Sequence, residues 1–102
     1  MSEASQATDL LLLAAHPPEL RGLRRYLGDS LAGTIRGLGV RCKTVGIGLS
    51  AAGAGTARRL WQMPPRAVVL VGTCGVYPGL DGWQPCDVAV ADGFRLLDQG
   101  VL

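Results

Sequence analysis

The chain carries few side chains that could act on a covalent bond. There is one histidine, His16, three cysteines, Cys42, Cys74 and Cys86, and a single lysine, Lys43. Glu19, in the run Ala15-His16-Pro17-Pro18-Glu19, could orient or deprotonate a water. At that spacing it also suits the first turn of a helix, where a carboxylate meets the positive end of the dipole, and spacing alone favours this second role. A catalytic triad would have to use His16, but no G-x-S-x-G elbow accompanies it, so a local hydrogen-bonding role at the end of a strand is the simpler reading. Cys74, near glycines in Gly72-Thr73-Cys74-Gly75, could be a nucleophile activated by a helix N-terminus. The simpler role for such a cysteine is a small residue permitting close contact.

Two glycine turns, Gly46-Ile47-Gly48 and Gly72-Thr73-Cys74-Gly75, would let backbone amides approach an anion, a sugar or a planar heterocycle. Neither is specific by itself. The G-x-G-x-x-G dinucleotide fingerprint fails because Ala51 stands where the third glycine is needed. No G-x-x-x-x-G-K-[ST] run exists, which excludes a P-loop. Arg58 and Arg59 read as a solvated helix face, and Trp61 and Trp83 suit packing as well as stacking.

The elements that must position these groups follow from the apolar pattern. Leu10 to Ala15 is a continuous apolar run of strand length, as in a strand buried on both faces. Pro17-Pro18 interrupts any helix crossing this region and suits the first turn of a new one. Leu20, Leu23, Tyr26 and Leu27 give that helix an apolar side, with Gly28 as its stop. Asp29 to Gly39 reads as hairpin or loop, and Val40 to Val45 alternates as a strand with one wet face. A helix of very small residues follows, capped by Ser50, and its glycines are best explained by close packing of its backbone on a sheet. Pro64-Pro65 ends it. Ala67 to Val71 is a buried strand, Asp87 to Ala91 a further strand, and Phe94 to Leu97 a possible last one. This alternation predicts an α/β fold with three layers: a mixed, largely parallel sheet with flanking helices. Ligands in such sheets bind beyond the carboxyl ends of the strands.

With 102 residues, 48% hydrophobic and 18% charged, the chain has apolar surface enough for one domain and is not disordered. Residues 1–8 read as a flexible arm and residues 9–102 as the domain. A net charge of +2 gives no reason to expect a nucleic-acid partner, and no apolar run approaches the ~18 residues of a membrane span. An odd cysteine count without a C-x-x-C pair argues against a disulfide framework or structural zinc and places the chain in the cytoplasm.

In order and spacing, Leu11 to Glu19, Val45 to Ala52, Val69 to Gly75 and Cys86 to Asp92 resemble the nucleoside phosphorylase and nucleosidase superfamily. The resemblance spans about residues 9 to 98, and Gly75 to Gly79 looks closest to futalosine hydrolase. It implies a nucleoside N-ribosyl hydrolase in which Glu19 handles the attacking water. Ala15, His16, Gly48, Thr73, Cys74 and Gly75 would line the nucleoside site. No cofactor and no metal are implied, and a homodimer or higher homo-oligomer is. Phosphorylases of the family place an Arg shortly before the Gly72 position; Val69, Leu70 and Val71 stand here, which favours hydrolysis over phosphorolysis. Members of the superfamily continue well past residue 102 and take their ribose-gripping Glu and leaving-group Asp from that later part. The resemblance thus implies the N-terminal half of such an enzyme, in truncated or split form. A non-catalytic nucleoside-binding or assembly module is the alternative.

Overall fold

The computed structural model describes residues 8–79 and 81–94. It is a small α/β domain built on a mixed four-strand sheet. The strands are β1 (Thr8–Ala14), β2 (Ala32–Ile35), β3 (Leu38–Thr44) and β4 (Pro65–Leu70), in the spatial order β2-β3-β1-β4. A 3₁₀ helix (Pro17–Leu23) runs into the short α1 (Arg24–Leu27), and α2 (Leu49–Gln62) joins β3 to β4. β1 begins at Thr8, whose side is buried, so the strand takes the last residue expected for the arm; residues 1–7 lie outside the described residues.

β1 is uniformly apolar because it is the central strand. It pairs in parallel with β3 on one side (Leu10 with Val40, Leu12 with Cys42) and with β4 on the other (Leu11 with Val68, Leu13 with Leu70). Successive side chains leave a strand in opposite directions, so each side of β1 serves a different cluster. Ala14 joins Leu20, Leu27, Val40 and Cys42, with Leu10 and Leu12 packed against them. Leu11 and Leu13 join Val45, with Ala52 of α2 and Met63 beside them.

The apolar spacing after Pro17 resolves into two helix types. Leu20 and Leu23 are one 3₁₀ turn apart, and Leu23 and Leu27 one α turn apart, which keeps all three on the core side. Tyr26 falls off that line and is exposed. Gly28 ends the helix as expected, with φ 75°. The following residues form a hairpin: β2 pairs antiparallel with β3, Ile35 opposite Leu38. Its two-residue turn, Arg36-Gly37, has φ 51° and 81°, the double positive φ of a type I′ connection.

Three expectations fail here. Ala67 to Val71 is not a buried strand: β4 is the last strand of the sheet, and its Val68, Val69 and Leu70 are exposed because among the described residues nothing covers them. α2 is capped by Gly48 at φ 93° and has no side-chain cap, while Ser50 lies inside the helix. The positive φ at Gly48 starts the helix two residues early, so the Ser50 hydroxyl cannot occupy the cap. Asp87 to Ala91 forms no strand; Val88 and Val90 are 86% and 90% exposed. Period-two apolarity makes a strand only where a neighbouring backbone accepts it, and among the described residues no strand pairs with this segment. Phe94 has no regular structure, and residues 95–97 lie outside the described residues.

Candidate functional site

The three parallel strands bring their carboxyl ends to one rim. There the backbone continues the ladder past the strand ends: Val45 N–H donates to the Ala14 carbonyl, Gly46 N–H to the Ala15 carbonyl, and Val71 N–H to the Leu13 carbonyl. Ala15, Gly46 and Val71 are thus held side by side, with Pro17, Gly48 and Thr73 a step beyond.

Glu19 sits in the first turn of the 3₁₀ helix. Its N–H donates to the His16 carbonyl (3.2 Å), and its Oε1 accepts from the His16 N–H (3.3 Å). This satisfies a backbone donor that the helix itself leaves without a partner, so Glu19 occupies the first turn expected for it and also caps the helix, a role not expected from the sequence. Oε1 also lies 3.1 Å from His16 Nδ1. A carboxylate only accepts, so this contact assigns the proton to Nδ1 and leaves Nε2 of the neutral ring as an acceptor. Capping does not account for the second oxygen. Oε2 accepts the Thr73 N–H at 3.3 Å, tying the first turn after β1 to the loop after β4.

Gly72 makes this contact possible. A Cβ there would lie 3.1 Å from Glu19 Oε2, tighter than ordinary van der Waals contact. The hydrogen bond from the His16 side chain holds the Glu19 carboxyl below its ordinary value. Burial opposes this as the next largest effect, and the His16 and Thr73 amides and the nearby imidazole each add a smaller lowering. The Glu19 side chain is 13% exposed and that of His16 46%, so the carboxylate lies inside the rim and the imidazole at its edge.

The structure therefore brings Glu19, His16, Ala15 and Thr73 together at one end of the sheet. Gly48, at the start of α2, follows the β3 end at the same rim and is exposed. Cys74 and Gly75 are exposed and line a separate open apolar hollow of about 210 Å³ with Val76, Tyr77, Trp83 and Ala89. No Glu19, His16 or Gly48 atom lines that hollow. A larger hollow, about 300 Å³, is at the opposite end of the sheet between Asp9, Leu10, Leu38, Arg66 and Ala67. There Asp9 Oδ2 accepts the Gly39 N–H at 2.8 Å and Oδ1 lies 3.6 Å from Arg66, a clip across the starts of β1, β3 and β4.

Trp83 was legible only as a residue type: it lines this hollow with Tyr77 and Cys74 from a loop with no periodic signal. Trp61 is 87% exposed on α2. All three cysteines are free, Cys42 in the core and Cys74 and Cys86 on the surface. Among the described residues no group of three His, Cys, Asp or Glu side chains could hold a metal ion, and no helix is long and apolar enough to cross a membrane. Comparison with protein-family models, curated proteins and solved structures gave no match.

Proposed function

We propose that this chain is a nucleoside N-ribosyl hydrolase-like protein of purine nucleosidase or futalosine hydrolase type, with Glu19 as its catalytic carboxylate. The reading includes a three-layer phosphorylase-like fold, a cytoplasmic setting and a homodimer or higher homo-oligomer. The observation that carries it is the Glu19 carboxylate, held by His16 from its own turn and by Thr73 from the loop after β4, at the strand-end rim where α/β sheets bind ligands.

Hydrolysis here means that a water oxygen bonds to the ribose carbon as the bond from that carbon to the base nitrogen breaks. The water gives up a proton and the base takes one. A carboxyl held low is ionised at neutral pH but poorly matched for proton abstraction, which is best served by a group titrating near the working pH. Glu19 is better suited to accepting a hydrogen bond from the water through a remaining lone pair and to stabilising positive charge growing on the ribose. The exposed Nε2 of His16 can take up the released proton. Among the described residues no second carboxylate bonds to this pair, so protonation of the departing base is assigned to no residue.

The test is base release from inosine, adenosine, methylthioadenosine and futalosine by the full chain and by Glu19→Gln, followed by chromatography with and without phosphate. The expected result is phosphate-independent release that falls about 100-fold or more in Glu19→Gln. Equal rates would remove Glu19 from the mechanism, and dependence on phosphate would make the protein a phosphorylase. Calorimetric binding of these nucleosides without turnover would favour the non-catalytic binding module.

A further inference from the structure

We propose that two copies of this chain pair by strand addition, with residues 87–92 of each copy laid antiparallel along the free edge of β4 in the other. This rests on observations independent of the nucleosidase reading. β4 is the last strand of the sheet, paired only with β1 among the described residues, and its Val68, Val69 and Leu70 are all exposed. An apolar edge strand of this kind offers a row of backbone donors and acceptors to another chain. The same chain carries the complementary piece. Asp87-Val88-Ala89-Val90-Ala91-Asp92 has strand periodicity and two valines almost wholly in solvent.

Register and charge select the orientation. With Val68 opposite Val90, antiparallel pairing sets Leu70 against Val88 and Arg66 against Asp92, all on one face, and Ala67 against Ala91 and Val69 against Ala89 on the other. Val68 and Leu70 thus meet bulky apolar partners, Ala67 meets Ala91, Val69 meets the smaller Ala89, and the one charge pair is of opposite sign; apolar and opposite-charge pairs across strands stabilise sheets. A parallel register with Arg66 opposite Asp87 would instead place Val68 and Leu70 against Ala89 and Ala91. Arg66 is 81% exposed and its present partner, Asp9, is 3.6 Å away, so its guanidinium remains accessible to a second carboxylate.

A second copy suits this edge better than the chain's own segment. Ala89 already lines the hollow formed by Cys74, Gly75, Val76, Tyr77 and Trp83. Val88 and Val90 do not line that hollow and are exposed, so folding the segment back onto its own β4 would draw Ala89 out of it, whereas a partner can meet the two valines where they are. Reciprocal exchange makes the contact isologous: each copy gives one segment and receives one, and the assembly closes as a dimer.

The experiment uses two full-length variants, Val68→Cys and Val90→Cys, each with Cys74→Ser and Cys86→Ser. They are mixed and oxidised, and the products are read by non-reducing electrophoresis and mass spectrometry, with light scattering on the unmodified protein. The expected products are a dimer in light scattering and a disulfide joining Cys at 68 of one variant to Cys at 90 of the other. Arg66→Asp and Asp92→Arg should each weaken the dimer about tenfold, and the double variant should restore it. A monomer by light scattering or absence of the mixed disulfide would overturn the proposal. Loss of nucleoside cleavage with pairing intact would count against the nucleosidase reading alone.

Discussion

The Thr73 amide and the Glu19 carboxylate, 54 positions apart in the chain, meet at 3.3 Å. Through this bond the 3₁₀ helix after β1 and the loop after β4 share one rim, and a helix-capping residue becomes the centre of a candidate site.

The first prediction concerns acid. Folding lowers the pKa of Glu19, so its bonds stabilise the protein above the ordinary carboxylate value of 4.5 and are lost as pH falls through the lower, folded value. Urea midpoints measured against pH should show Glu19→Gln less stable than the parent at pH 7. The gap should close progressively below about pH 4.5. A constant gap down to pH 2 would mean that the carboxylate charge contributes nothing to these bonds.

A second prediction isolates the Thr73 contact. Gly72→Ala inserts a Cβ 3.1 Å from Glu19 Oε2, so the carboxylate must give by a few tenths of an ångström, which stretches and weakens the 3.3 Å Thr73 hydrogen bond while keeping His16. The Glu19 carboxyl, followed by NMR titration, should then titrate at a higher pH than in the parent. An unchanged titration would show that the Thr73 amide does not act on it.

Two glycines in α2 should respond with opposite signs. A Cβ at Gly55 would run into the Val45 carbonyl oxygen, a backbone atom, so Gly55→Ala should cost about 3 kcal/mol as the helix is forced off the sheet. At Gly53 a Cβ meets nothing within 4 Å, and Gly53→Ala should stabilise by about 0.5–1 kcal/mol through helix propensity. Thermal or urea unfolding of both variants is the measurement, and the same sign in both would contradict the packing described.

The clip at the other end of the sheet gives a fourth contrast. Asp9→Ala removes the 2.8 Å acceptor of the part-buried Gly39 N–H and should cost about 1–3 kcal/mol. Arg66→Ala removes only an exposed 3.6 Å partner and should change monomer stability by less than about 0.5 kcal/mol. Unfolding of dilute samples separates the two; equal losses would mean that the ion pair, rather than the amide bond, secures the strand starts.

What the sequence determined alone is local. The apolar run of Leu10 to Ala15, the Pro17-Pro18 break and the Gly28 stop each constrain a few neighbouring residues, and each has its counterpart in β1, the 3₁₀ helix and the end of α1. Ala67 to Val71 marked a strand, β4, but not its burial, which depends on what lies beside it. The small-residue helix was legible for the same reason: its glycines made close approach to a sheet the best explanation, and Gly55 against Val45 supplies it. The Arg36-Gly37 turn lacked the usual Asn-Gly or Asp-Gly signal, so β2 was legible only as hairpin or loop. Tertiary structure decided the rest. Whether Glu19 is only a cap depended on Thr73, a partner far away in sequence that parallel pairing of β1 and β4 brings near. Whether Asp87 to Ala91 became a strand depended on a neighbouring backbone. Periodicity encodes which side of a segment avoids water; it does not encode which distant backbone will accept the hydrogen bonds.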